Sequence, residues 1–290
     1  MPNSLHSVLQ LVPATFNQAQ ELAIMQPLPS EKLPALDPFL LLHHIGPKVF
    51  PPDNGGLPFG PHPHRGFETV TLVLAGEVEH QDSRGNRGIV GAGGIQWMAA
   101  ARGIIHAENT TPRFRRNGGT LELVQLWLNL PAARKMEQPR YHNVPANALP
   151  TKELDAGQGL LTVIAGPWEE LRGPVHSLLP QLRLGLIRLA ALGAYTPEVP
   201  AGHTILLYII RGEVSVNGVS ALAQTLVNLS PDGNTIQLRA TAESLVLLAS
   251  APPLHEPVVQ QGPYVMNTTS QIMEAMRDYQ MGRMGVFIAE

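Results

Sequence analysis

The chain has 290 residues and a formal net charge of −3, with 20 Lys and Arg against 23 Asp and Glu, so it carries no global basic footprint for nucleic acid. It contains no cysteine, which excludes disulfides, thiolate metal sites and cysteine nucleophiles. The composition, 44% hydrophobic and 15% charged, is that of a soluble globular protein long enough to bury two cores.

The opening stretch, "MPNSLHSVLQLVPATF", lacks the basic-then-apolar order of a signal peptide. No run approaches the ~18 apolar residues of a membrane helix. A cytoplasmic protein that does not bind membranes is expected. The chain then reads mostly as strand. In "ETVTLVLAGEVEH" Val70, Leu72 and Leu74 alternate with Thr69 and Thr71, which predicts a half-buried strand ending in a turn at Ala75-Gly76. "GGIQWMAA", "GTLELVQLWLNLP", "LRLGLIRLAAL", "HTILLYIIRGEVSVNG" and "ESLVLLAS" behave alike, with Gly, Pro, Asn and Asp between them. Short strands at near-regular spacing predict a sandwich or barrel.

A weak repeat supports two such units: "LAGEVEHQDSRGN" around Gly76 recurs in form as "IRGEVSVNG" around Gly212. The predicted division places one domain in residues 1–140 and a second in 150–290, with a Pro- and Ala-rich linker over 131–159. One helix is expected, in "NTTSQIMEAMRDYQMGRMG". Thr268 and Gln271 have capping-box spacing, Gly282 can end the helix, and Ile272, Ala275, Met276 and Tyr279 form its packing stripe.

Chemistry concentrates at two places. His62 and His64 stand at i and i+2, so on a strand they share a face. If the strand runs on without a bulge, Glu68, Val70, Leu72 and Leu74 share it too, although Gly66 can spoil the count. His106 and Glu108 form a second i, i+2 pair. Neighbouring strands ~4.7–4.9 Å apart and imidazole–metal bonds of ~2.0–2.1 Å allow the four side chains to converge on one ion. Three neutral imidazoles and a carboxylate suit a divalent transition metal: iron first, then Mn, Ni, Cu or Zn. A single His-x-His is more often two ordinary polar residues, and the presence of both pairs favours metal. Shifting the four positions by the repeat offset gives Glu198, Pro200, Ala242 and Ser244, so the second domain keeps no ligand set and His203 stands alone. "RFRR" at 113–116 reads as a solvated loop. "GAGG" at 91–94 lacks the strand–helix context of a dinucleotide motif. Trp97 and Trp127 read as core, and His6, His80, His142, His176 and His255 have no partner at ligand spacing.

The blocks "HPHRGFETVT" at 62–71, "GGIQWMAAARGIIHAE" at 93–108, "QLWLNLP" at 125–131, "KMEQPRY" at 135–141 and "GPYVMNT" at 262–268 resemble the pirin family. The resemblance implies an all-β bicupin, two tandem cupin barrels with a short C-terminal helix, usually monomeric. It implies one metal, usually iron, in the first barrel, held by His62, His64, His106 and Glu108. Glu68 would stand behind the ligands and accept from an imidazole N–H. His43 and His44 stand where the family often has an acidic residue and are read as structural. Several family members are similar to quercetin 2,3-dioxygenases, which implies a small flavonol-like aromatic substrate and dioxygen, with Glu108 or Glu68 as catalytic proton acceptor. Others resemble metal-dependent regulators. The alternative is therefore an interaction protein that binds a protein partner without catalysis.

Overall fold

A computed structural model describes residues 4–19 and 22–288. The chain forms two compact units: one from Met1–Phe16, Met25–Leu40 and Ala148–Pro253, the other from Asn17–Ile24, Leu41–Asn147 and Leu254–Glu290. Both are cupin barrels built on one plan. In the second-named unit a seven-stranded antiparallel sheet runs in the order Arg140–Val144, Ile95–Ala99, Phe67–Ala75, Gly119–Asn129, Phe39–Phe50, Leu22–Leu28, Thr15–Ala19. A four-stranded sheet runs Phe59–His64, Ile104–Thr110, Glu77–Asp82, Arg87–Gly91. The other unit repeats both orders, with Thr204–Arg211 in the place of Phe67–Ala75 and Glu213–Val216 in the place of Glu77–Asp82. The repeated glycines explain the motif. Gly76 (φ 81°) and Gly212 (φ 84°) take the left-handed conformation that lets the chain leave one sheet and enter the other.

Register between strands shows which residues of the second barrel correspond to the histidine and glutamate positions expected to hold metal in the first. Val78 pairs with Thr110, and its repeat partner Val214 pairs with Ala240. The counterparts of His106 and Glu108 are therefore Ile236 and Leu238, not the Ala242 and Ser244 that a constant offset predicts, because the connection before this strand is shorter. His80 likewise maps to Val216. Ile236, Leu238 and Val216 are fully buried in one apolar cluster with Val214, Leu207 and Val246. Aliphatic packing occupies the places where the first barrel has imidazole and carboxylate.

The C-terminal segment departs from the expected division. It belongs to the same compact unit as the His62 barrel. Tyr264, Met266, Ile272, Ala275 and Met284 form an apolar cluster with Ile105. Arg65 Nη2 donates to Asp278 Oδ2 at 2.8 Å. Hydrophobic burial and this ion pair outweigh sequence order. The helix spans Thr269–Gln280, with both halves of the Thr268/Gln271 capping box formed. Its buried face is Ile272, Ala275 and Asp278, while Tyr279 is 39% exposed. The expected linker contributes two strands to the sheets, Arg140–Val144 paired with Ile95–Ala99 and Thr151–Leu154 paired with Gly159–Ala165, with short 3-10 turns between them. "RFRR" lies in a short helix, Pro112–Asn117, capped by Thr111 and anchored by buried Phe114. Among the described residues no helix is long and apolar enough to cross a membrane.

His43, half-buried in the strand Phe39–Phe50, carries a consequence for acid stability. Desolvation pushes its imidazole down to about 4 from an ordinary 6.5. Between those values the unfolded chain binds a proton that the folded chain refuses. Stability is therefore expected to fall as pH drops from about 6.5 to about 4, by up to ~1.4 kcal/mol per pH unit. Urea midpoints at pH 7 and pH 5 check this. The wild type loses more stability on acidification than His43→Gln, and equal losses would refute it.

Candidate metal centre

The HPH block sits where the chain turns from one sheet into the other. His62 and His64 end the strand Phe59–His64, and Gly66 turns the chain at φ 92° before Phe67 begins the next strand. A Cβ at Gly66 would collide with the carbonyl of Val265, so only glycine allows this approach. The turn is held from behind by Lys135. Its buried ammonium donates to Gly66 O (2.7 Å), Asn129 Oδ1 (2.5 Å) and Val265 O (3.1 Å). Burial pushes this amine down to about 7, against the pull of Glu256.

The change of sheet ends the alternation expected from His62 through Leu74. The odd-numbered residues of Phe67–Ala75 face the site instead. The Phe67 ring lies 5.0 Å from the His64 ring, and Thr71 Oγ1 donates to Glu108 Oε1 at 3.0 Å. Val70, Leu72 and Glu68 lie on the opposite parity, buried on the other face of that sheet. Trp127, read from sequence as core, lies beside the site with its ring 5.3 Å from that of His64.

Three imidazoles converge. His62 Nε2 lies 3.1 Å from His64 Nε2 and 3.0 Å from His106 Nε2. The second ring nitrogens fix the tautomers. His62 Nδ1 meets Gly60 O at 2.7 Å and His64 Nδ1 meets Pro263 O at 3.4 Å. A carbonyl only accepts, so each Nδ1 carries the proton and each Nε2 is bare. These partners take the role expected of Glu68. Burial, reinforced by His62, pushes His64 down to about 3 against the Pro263 carbonyl. Burial, with His64, His62 and His80, pushes His106 well below its ordinary value. His64 and His106 are therefore held neutral, the form in which imidazole binds metal.

Bare nitrogens ~3 Å apart repel, and a cation between them turns the repulsion into attraction. Two bonds of ~2.1 Å leaving one ion at right angles place their nitrogens about 3 Å apart, which matches the spacing seen. Glu108 joins through a second cluster, His80, His106 and Glu108, whose donor atoms lie within 4.8 Å of one another. Its Oε2 accepts from Gln125 Nε2 at 3.1 Å. With one oxygen held by Thr71 and the other by Gln125, the carboxylate keeps lone pairs for a cation or a proton. The donor set fits a divalent transition metal.

His80 is the residue that sequence reading passed over. Its Nδ1 lies 3.4 Å from His106 Nδ1 and its Nε2 lies 3.1 Å from Asp82 Oδ2. Its ring stacks on Tyr141 with centroids 4.1 Å apart and planes at 11°. Burial raises the Asp82 carboxyl, but hydrogen bonds from His80, Asn86 and the Arg84 N–H outweigh it and hold the group below its ordinary value. The signal was present: His80-x-Asp82 has the same i, i+2 spacing as the ligand pairs.

Family models match on both sides of the chain: Pirin over residues 20–128 and the Pirin C-terminal cupin domain over residues 186–285. The chain belongs to the pirin family. A Pseudomonas aeruginosa relative named "Putative quercetin 2,3-dioxygenase" is 41% identical over 248 residues, 86% of this chain and 86% of its own. A crystal structure of quercetin 2,3-dioxygenase from Acinetobacter baumannii superposes with a TM-score of 0.92 at 35% identity, covering 98% of this chain and 100% of that one. The bacterial pirin YhhW of Escherichia coli, solved in complex with nickel(II), shares the fold at a TM-score of 0.67 and 23% identity, over 84% of this chain and 99% of that one. The pirin C-terminal model includes the helix Thr269–Gln280, which in this member packs with the N-terminal barrel.

Proposed function

We propose that the chain is a metal-dependent dioxygenase acting on small flavonol-like aromatics, its ion held by His62, His64, His106 and Glu108. The observation that carries the reading is the convergence of three imidazole Nε2 atoms, with His62 Nε2 at 3.1 Å from that of His64 and 3.0 Å from that of His106. Iron is the ion of this reading, and the donor set suits nickel, manganese, copper or zinc as well. When bound, such an ion supplies Lewis acidity toward a flavonol 3-hydroxyl and a meeting point for dioxygen.

The chain's own residues do the rest. His62, His64 and His106 present their Nε2 atoms to one point, His64 and His106 from buried positions and His62 from a partly exposed one. Glu108 is the proton acceptor of this reading. It lies in the cluster with His106, and its hydrogen bonds from Thr71 and Gln125 aim it without neutralising it. Glu68 drops out of that role because its parity turns it away from Thr71 and Glu108. Trp127, partly exposed beside His64 and backed by the fully buried Phe67 ring 4.4 Å away, gives an aromatic face against which a flavonol ring can pack.

Glu108→Gln tests the assignment. It keeps the shape but removes both the base and a charged ligand, so turnover is compared at equal bound metal. Flavonol turnover is expected to fall by about 10²–10⁴-fold, the usual worth of a positioned base. Single-turnover absorbance of quercetin reads the loss, and a rate within a few-fold of wild type would remove Glu108 from this role.

A further inference from the structure

The chain His106–His80–Asp82 assigns these residues a task beyond filling space. We propose that Asp82 and His80 are positioning residues that fix, through two hydrogen bonds in series, which nitrogen of His106 is bare. A carboxylate only accepts, so His80 Nε2, 3.1 Å from Asp82 Oδ2, carries the ring's proton. His80 Nδ1 is then bare and must accept. Its partner at 3.4 Å is His106 Nδ1, which therefore donates. That leaves His106 Nε2 bare, at 3.0 Å from His62 Nε2. The geometry bears on which nitrogen of each ring carries the proton.

Asp82 is itself fixed. Its Oδ1 accepts the backbone N–H groups of Arg84 (2.9 Å) and Asn86 (3.1 Å), and Asn86 Nδ2 donates to Oδ2 at 2.9 Å. The stack on Tyr141 holds the His80 ring plane. His80 and Asp82 are 1% and 7% exposed, so water does not compete. The second barrel has no use for the device: Val216 stands in the place of His80 and Ile236 in that of His106.

The arrangement makes Asp82→Asn an informative variant. The backbone N–H groups of Arg84 and Asn86 cannot reverse, so the amide oxygen must face them and the amide NH₂ faces His80. His80 Nε2 must then accept, and its proton moves to Nδ1. His106 Nδ1 must accept in turn, and its proton moves to Nε2, the atom that faces the other ligands. Each step exchanges one neutral tautomer for the other.

The test uses the full chain, stripped of metal and labelled with ¹⁵N at histidine. Long-range ¹H–¹⁵N spectra are expected to show wild-type His106 protonated on Nδ1 and Asp82→Asn protonated on Nε2. The wild-type spectrum alone is decisive even if the variant folds poorly, since a proton on His106 Nε2 there would overturn the proposal. Nickel(II) titration by calorimetry gives the consequence, which rests on the metal reading above. Asp82→Asn should bind about 10–100-fold more weakly, the usual cost of an outer partner of a ligating histidine. The double variant H80N/D82N should regain most of that loss, because an amide oxygen at position 80 accepts directly from His106 Nδ1–H. An Asp82→Asn protein that keeps His106 protonated on Nδ1 would overturn the proposal. Switched tautomers in a protein that takes up no nickel even as wild type would sustain the relay and refute the metal reading instead.

Discussion

His106→Ala is expected to abolish metal retention and, with it, turnover. His106 belongs to both donor clusters, the one with His62 and His64 and the one with His80 and Glu108. Its ring lies 4.5 Å from that of His62 and 4.9 Å from that of His64. Losing an outer partner of a ligand typically costs 10–100-fold in affinity, so losing the ligand that joins the two clusters should exceed about 100-fold. The apo fold should survive, because the sheets around the site are held by Phe67, Trp127 and the Lys135 clamp and not by His106. Elemental analysis after desalting, beside a thermal melt of the apo proteins, checks both halves. A folded His106→Ala protein that retains metal at the wild-type level would show that the three-imidazole cluster is not the binding site.

Asp278→Asn should be strongly destabilising. Arg65 follows the ligand His64 directly, and its guanidinium is 4% exposed against an Asp278 carboxylate 10% exposed. Asp278 also accepts from Arg283 Nη1 at 2.8 Å. Removing one partner of a buried pair strands the other charge and costs about 3–5 kcal/mol. For a chain of this size that corresponds to a fall of roughly 10 °C in Tm. The pair R65M/D278L should recover much of the loss, since apolar residues of similar volume replace buried ion pairs at little cost. Thermal and urea melts of the two single variants and the double decide it. A loss below ~1 kcal/mol for Asp278→Asn would mean that the pair is solvated in solution.

Much of the fold was legible in the sequence because period-two alternation and glycine turns are local signals. The repeat of Gly76 in Gly212 marks the same crossover in each barrel, and the Thr268/Gln271 spacing gave the helix its start. The site was legible to the extent that its residues come in i, i+2 pairs. What failed was every inference that carried parity or offset across a turn. Gly66 breaks the alternation between His64 and Phe67, which moves Thr71 to the Glu108 side and Glu68 away from it. A shorter connection in the second barrel changes the offset at the strand Leu238–Ala240, so Ile236 and Leu238 stand where His106 and Glu108 do. The placement of the C-terminal helix rests on contacts as distant in sequence as Arg65 and Asp278, which no local pattern reveals. His80 was missed for a different reason. Its i, i+2 neighbour Asp82 was legible, but only the pairing of Glu77–Asp82 with Ile104–Thr110 brings His80 to His106.

Dioxygen uptake with quercetin is the measurement closest to the central claim. Full-length protein would be reconstituted with iron(II), its metal content measured, and uptake compared with a chelated control and with His106→Ala. The account predicts uptake that is proportional to bound iron, accompanied by loss of the flavonol absorbance, and absent from both controls. Protein shown to hold iron that consumes no more dioxygen with quercetin than its chelated control would contradict it.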